Sequence, residues 1–169
     1  QMCIRDSIYA AISGFGNPQF GKSPYLYWPS YDVVAQAMGG IIGITGPDKN
    51  TPTKVGPGVG DIFSGLMMSF GIISALRMAE KTSKGQFIDL SMYDAVLSLC
   101  ERIIYQYDFD NSIPKPEGNG HPLLVPFGIY KSKDGHIALG IVDNSFWKIL
   151  TNIIGNKELV DNRKYETIE

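Results

Sequence analysis

Residues 61–81 read DIFSGLMMSFGIISALRMAEK, and residues 82–92 continue as TSKGQFIDLSM. The first part has helical spacing but is apolar on nearly every face, which predicts a central buried helix rather than one lying on a surface. Gly65, Ser69, Gly71 and Ser74 leave room for neighbouring backbones to approach. Arg77, Lys81 and Lys84 lie near the negative end of the helix dipole, with Gly85 as the expected stop. The most apolar section, Ile62 to Leu76, falls short of the roughly 18 residues a membrane span needs, so a core helix is expected. Gln86 to Met92 sets Phe87, Ile88, Leu90 and Met92 against polar partners and predicts a strand. Tyr93 to Tyr107 returns to helical spacing through Val96, Leu97, Leu99, Ile103 and Ile104. Helix and strand in alternation predict an α/β layer.

Upstream, Ile8 to Ile12 is a short apolar run ending in Ser13-Gly14-Phe15-Gly16, a buried strand meeting a glycine turn. Prolines at 18, 24 and 29 make Asn17 to Ser30 a loop. Tyr31 to Met38 has the spacing of a short helix stopped by Gly39-Gly40, and Thr45 to Gly60 reads as loop. Downstream, composition shifts from Phe109 to Pro126, where four prolines and two glycines leave few apolar residues. Residues 113–126 therefore read as a linker between a larger part, 1–112, and a smaller part, 127–169. In the smaller part, Phe127 to Tyr130, the turn Lys133-Asp134-Gly135 and His136 to Ile141 predict a hairpin, with a helix from Asn144 to Ile154. Gln1 to Asp6 is set aside as a junction, and Gln1 to Ser7 lacks the apolar core of a signal peptide.

With 15 basic and 17 acidic side chains in 169 residues the net charge is −2, which excludes nucleic-acid binding by bulk charge. Apolar residues at 44% and charged residues at 19% exclude disorder and support a packed core. Cys3 and Cys100 stand apart without a metal-ligand or disulfide pattern, and a reducing cytoplasm is the expected setting. No metal site is expected.

Gly16-Asn17-Pro18-Gln19-Phe20-Gly21-Lys22-Ser23 matches the phosphate-binding pattern G-x-x-x-x-G-K-S. That cradle needs a helix to begin at the Lys-Ser pair, and Pro24 followed by Tyr25-Leu26-Tyr27-Trp28-Pro29 offers none, so no nucleotide site is expected. Gly56-Pro57-Gly58-Val59-Gly60-Asp61 leads into the long helix, and two readings of Asp61 stand side by side. As an N-cap its carboxylate would accept a hydrogen bond from an N–H two or three residues on. As a nucleophile it would use the glycines for close substrate approach and the helix N-terminus for charge stabilisation. His121 and His136 lack carboxylates at ligand spacing, and Asp89, Asp94 and Glu101 follow strand and helix surfaces.

Several ordered blocks run through most of the chain. They are Ser13-Gly14-Phe15-Gly16, Tyr31-Asp32-Val33-Val34-Ala35-Gln36-Ala37-Met38-Gly39-Gly40, Gly60-Asp61, Gly71-Ile72-Ile73-Ser74-Ala75-Leu76, Lys84-Gly85-Gln86-Phe87-Ile88-Asp89-Leu90-Ser91-Met92, Gly118-Asn119-Gly120-His121-Pro122 and Asp134-Gly135-His136-Ile137-Ala138-Leu139. In them the chain resembles the family III CoA-transferases, the CaiB/BaiF-like group that includes formyl-CoA, carnitine and bile-acid CoA-transferases and α-methylacyl-CoA racemase. The resemblance implies part of a Rossmann-like large domain plus part of a small α+β domain, from members that are much longer and form interlocked homodimers. It implies that Asp61 is the catalytic aspartate, attacking an acyl-CoA thioester and passing through an acyl anhydride and an aspartyl-CoA thioester. It also implies that Tyr31, Asp32, Gly60, Gly118, Asn119, Gly120 and His121 bind substrate or CoA. Coenzyme A would then be a substrate, exchanged between an acyl-CoA and a carboxylic acid, with no tightly bound cofactor, nucleic acid or membrane as partner.

The chain departs from the family at three places. Trp28-Pro29-Ser30-Tyr31-Asp32 stands where members often have Arg-Pro-Gly-Tyr-Asp, Ser83 replaces a usual glycine, and the glycine run of formyl-CoA transferases is reduced to Gly118-Asn119-Gly120. The racemase branch is the alternative activity, but its members carry a basic histidine where Tyr31 stands, and a phenol with a pKa near 10 accepts protons poorly at neutral pH. A non-catalytic fragment of the family is the alternative outside catalysis.

Overall fold

The computed structural model describes residues 6–159, 162 and 165. The chain divides into two compact units, Gln1–Pro116 and Glu117–Glu169. The first contains strand β1 (Ile8–Ser13), helices α1 (Asp32–Met38), α2 (Ile41–Ile44) and α3 (Val59–Thr82), strand β2 (Gln86–Ser91), and helices α4 (Met92–Leu99) and α5 (Glu101–Asp110). The second contains β3 (Phe127–Lys131), β4 (His136–Gly140) and α6 (Asn144–Ile154). The architecture is α/β, as the alternation of patterns predicts.

In the first unit β1 and β2 pair in parallel, from Ile8 opposite Gln86 to Ser13 opposite Ser91. Parallel neighbours need a long crossover, and α1 to α3 supply it. The helix α3 packs on both strands and on α1 and α4 through a stripe of Gly60, Ser64, Met68 and Ala75, spaced to fall on one side of the helix. Gly71 belongs to the same contact: a Cβ there would lie 3.2 Å from Ile88 Cγ2, so its bare backbone lets α3 settle onto β2.

The expected fully buried helix is corrected by the structure, because Ile62, Phe70 and Ile73 are 67%, 66% and 65% exposed. One strand pair and two neighbouring helices cover only one side of a cylinder about 10–12 Å across, which leaves apolar residues on its other sides exposed. Helix α3 is also longer than the apolar run suggested, and by length and composition alone it would suffice to cross a membrane. It ends earlier than Gly85: Ser83 adopts the left-handed conformation at φ 53° and its N–H donates to Ala79 O at 2.8 Å.

The single helix expected from Tyr93 to Tyr107 is two, divided at Cys100. There is no proline or glycine at the break. Instead Cys100 N–H donates to Leu97 O and Ile103 N–H to Cys100 O, three-residue bonds that tighten the backbone. Ser98 Oγ donates to Ala95 O at 2.7 Å in the same turn. The small core beneath these helices is Ala35, Met92 and Val96, with Ile41 against it.

The loop after β1 is tied to the β2–α4 junction. Gly14 O accepts from Tyr93 N–H and from Ser91 Oγ, both at 3.1 Å, while Ser91 Oγ caps α4 by accepting from Asp94 N–H. Asp89 Oδ2 accepts from Asn17 N–H at 2.8 Å.

In the second unit β3 and β4 pair antiparallel from Phe127 opposite Gly140 to Lys131 opposite His136. Residues from Glu117 onward fold with this hairpin: Asn119 O accepts from Ile129 N–H and Pro126 O from Ile141 N–H, each at 3.0 Å. The unit boundary thus falls inside the Pro/Gly-rich stretch, at 116/117. Asp143 caps α6, its Oδ1 accepting from Ser145 N–H at 2.8 Å and Phe146 N–H at 3.1 Å. These bonds hold its carboxyl below the usual carboxylate range, led by the side-chain bond from Ser145.

Candidate active site

Glycine and proline at 56–58 forbid early helix, and α3 starts at Val59 with Gly58 as a cap that offers no side chain. Asp61 is therefore the third helical residue, and its reading as the N-cap is corrected: the helix begins two residues before it. The free first-turn donor of Gly60 is met from outside the helix, by Asp32 Oδ1 at 2.8 Å. Asp32 stands at the start of α1, and its other oxygen accepts from Gln36 Nε2, one turn on, at 2.8 Å.

Gln36 extends this tie into the loop before α3. It is 0% exposed, and its Oε1 accepts from Val55 N–H at 2.9 Å while Nε2 also lies 3.4 Å from Pro57 O. Sequence reading placed Gln36 only inside a family block and gave it no role. The available signal was an Asp and a Gln four residues apart on the side of α1 that carries Ala35, a polar pair on a buried face.

Two glycines make the arrangement possible. A Cβ on Gly60 would lie 3.1 Å from both Ala35 Cβ and Asp32 Oδ1, closer than comfortable packing allows. A Cβ on Gly58 would lie 3.6 Å from Asp32 Cγ and 3.8 Å from Asp61 Oδ2, so the two carboxyl groups border the same bare stretch of backbone. Their situations differ. Both oxygens of Asp32 are engaged by protein donors, whereas Asp61 is exposed and has no hydrogen-bond partner among the described residues. A carboxylate with its lone pairs open, in the first turn of a long helix, is placed to attack an electrophile.

Tyr31, beside Asp32, is 73% exposed, and its carbonyl begins α1 by accepting from Val34 and Ala35 N–H. Gly118, Asn119, Gly120 and His121 belong to the second unit, where Gly118 turns the chain at φ 59°. His121 Nδ1 accepts from the N–H groups of Leu123 and Leu124, each at 3.1 Å, and its ring lies 5.0 Å from that of Phe127. Accepting at Nδ1 leaves the ring proton of the neutral form on Nε2. No cluster of three His, Cys, Asp or Glu side chains able to hold a metal occurs among the described residues.

Among the described residues, clefts open in the first unit. One, of about 630 Å³, is lined by residues that include Phe15, Lys22, Tyr25, Asp89 and Tyr93; the other, of about 510 Å³, lies between Phe20, Met78 and Phe87. Asp61 lines neither of these; it stands exposed at the start of α3. Gly16 to Ser23 does not form a phosphate cradle. No helix follows Lys22-Ser23 before α1, and Asn17 N–H is taken by the Asp89 carboxylate, which would repel a phosphate placed there.

A model of CoA-transferase family III matches residues 6–169. The chain is 42% identical over 154 residues to the succinyl-CoA:mesaconate CoA-transferase of Haloarcula hispanica, covering 91% of this chain and 39% of that protein. It is 32% identical over 160 residues to the human succinyl-CoA:glutarate CoA-transferase, covering 95% of this chain and 36% of that one. Among solved structures, a CaiB/BaiF family protein from Brucella suis superposes with a TM-score of 0.78 at 32% identity, over 95% of this chain and 42% of its own. The chain spans about two fifths of the length of the curated relatives it matches.

Proposed function

Since the chain belongs to CoA-transferase family III, we propose that the protein transfers coenzyme A between an acyl-CoA and a carboxylic acid, with Asp61 as the nucleophile. The observation that carries this reading is the separation of roles at the start of α3. Asp32 meets the helix N-terminus, so the exposed Asp61 carboxylate is not needed as a cap. An oxygen of Asp61 attacks the thioester carbonyl, the C–S bond breaks, and CoA leaves as thiolate from an Asp61–acyl anhydride. The thiolate attacks the aspartyl carbonyl, releasing the donor acid as carboxylate and leaving CoA on Asp61 as a thioester. The acceptor carboxylate then displaces the thiolate to form a new anhydride. The thiolate attacks the acceptor carbonyl, giving the new acyl-CoA and restoring Asp61. No proton is gained or lost over the cycle, and splitting the exchange into these steps is the benefit of covalent catalysis.

The same reading makes coenzyme A a substrate rather than a resident cofactor, and includes a cytoplasmic setting, a Rossmann-like large domain and an interlocked homodimer. The exposed apolar side of α3 supports a partner surface of that kind. The test replaces Asp61 by Asn and by Ala in the full-length protein. Both substitutions are expected to abolish transfer while shifting stability by less than about 1 kcal/mol, the contribution of a first-turn carboxylate to the helix dipole. Transfer at the wild-type rate by Asp61→Asn would remove Asp61 from the mechanism.

A further inference from the structure

The geometry points to Asp32 as a positioning residue for Asp61, acting through the Gly60 amide rather than by touching acyl-CoA. This role rests on the reading that Asp61 is the nucleophile. The segment Gly56-Pro57-Gly58-Val59-Gly60 that gives a substrate access to Asp61 is, for the same reason, poorly suited to hold it. Glycine loses the most backbone freedom on ordering, and a first helical turn without a side-chain cap frays. Asp32 supplies what the turn lacks: its Oδ1 holds Gly60 N–H at 2.8 Å, one residue before Asp61. The holder is itself fixed. Gln36 Nε2 binds the second oxygen of Asp32 at 2.8 Å, and Gln36 Oε1 binds Val55 N–H at 2.9 Å, so both ends of the glycine segment are tied to α1. Glycine at 60 lets Asp32 come this close, since a Cβ would sit 3.1 Å from Oδ1. Each oxygen of Asp32 accepts one of these bonds, so the role is to tie α1 to the start of α3, which sets it apart from the CoA contact that the family resemblance implies.

Misplacing a reacting group by about 1 Å costs on the order of 10²-fold in rate. In the full-length protein, Asp32→Ala is therefore expected to lower kcat by about 10²-fold with KM for acyl-CoA changed by less than about threefold. Asp32→Asn keeps an accepting Oδ1 for Gly60 N–H, although its Nδ2 then faces the Gln36 amide, and is expected to recover at least about tenfold of that loss. A raised KM at unchanged kcat, an unchanged kcat, or an Asn variant no better than Ala would overturn the proposal. A readout free of activity is the hydrogen exchange of the Gly60 amide in the unsubstituted protein, expected to be at least about tenfold slower than that of Gly56. Equal exchange would overturn the proposal even if Asp32→Ala failed to fold. Asp61→Asn assayed in parallel separates the two readings. Its full activity would defeat the nucleophile, whereas an inactive Asp61→Asn beside a fully active Asp32→Ala would defeat only the positioning role.

Discussion

Replacing Gln36 by Leu removes a buried amide with little change in size, so the result reports hydrogen bonding rather than packing. Leu and Gln have nearly equal helix propensity, and the site in α1 is 0% exposed. The substitution leaves Val55 N–H, held at 2.9 Å and partly buried, without its acceptor, and an unsatisfied donor costs up to about 1–3 kcal/mol. It also removes the 2.8 Å bond to the Asp32 carboxylate, and a bond to a charged group contributes about 1.5–3 kcal/mol. Asp32 is only partly buried and water recovers some of that second loss. The expected destabilisation is about 2–4 kcal/mol, measured as a lower urea midpoint at unchanged slope. Gln36→Glu keeps the acceptor for Val55 but sets a second carboxylate against Asp32. Its folded carboxyl is raised in pKa, so this variant is expected to be most stable at low pH and to lose stability as pH rises through the carboxylate range. A Gln36→Leu protein within about 0.5 kcal/mol of the parent would refute the idea that this amide organises the segment before α3.

Gly39→Ala places a Cβ 2.6 Å from Val96 Cγ1 and 2.7 Å from Val96 Cβ, so α1 and α4 must separate, at about 1–3 kcal/mol read from the same urea titration. Val96→Ala does not rescue it, because the Cβ of residue 96 remains. At α6, Asp143 has a depressed folded pKa owing first to the Ser145 side-chain bond, so its stabilising effect is present above the unfolded carboxylate pKa and disappears as pH falls through the folded value. Asp143→Asn retains the cap and is expected to remove that part of the acid dependence in unfolding curves collected from neutral to acidic pH.

Local rules made much of the molecule legible. Prolines at 18, 24 and 29 exclude helix from the loop after β1, apolar alternation marks β2, and the Lys133-Asp134-Gly135 turn marks the hairpin. What escaped depends on contacts between segments distant in sequence. Nothing in residues 56–61 says that their helix cap is Asp32, 28 residues from Gly60, so the local pattern offered only Asp61 for that task, beside its reading as a nucleophile. The exposure of α3 escaped for a related reason: an apolar sequence specifies what a helix avoids, and the residues that cover it need not be its neighbours. Cys100 divides α4 from α5 through three-residue bonds and a Ser98 back-bond, neither of which carries a glycine or proline signature.

The most direct test of the central claim is to trap the covalent intermediate. Hydroxylamine added during turnover of an acyl-CoA with an acceptor acid attacks an activated aspartyl carbonyl, and digestion with mass spectrometry locates the product. A hydroxamate on Asp61, dependent on acyl-CoA and missing from Asp61→Asn, is the predicted result; sustained turnover with the peptide containing Asp61 unmodified would contradict it.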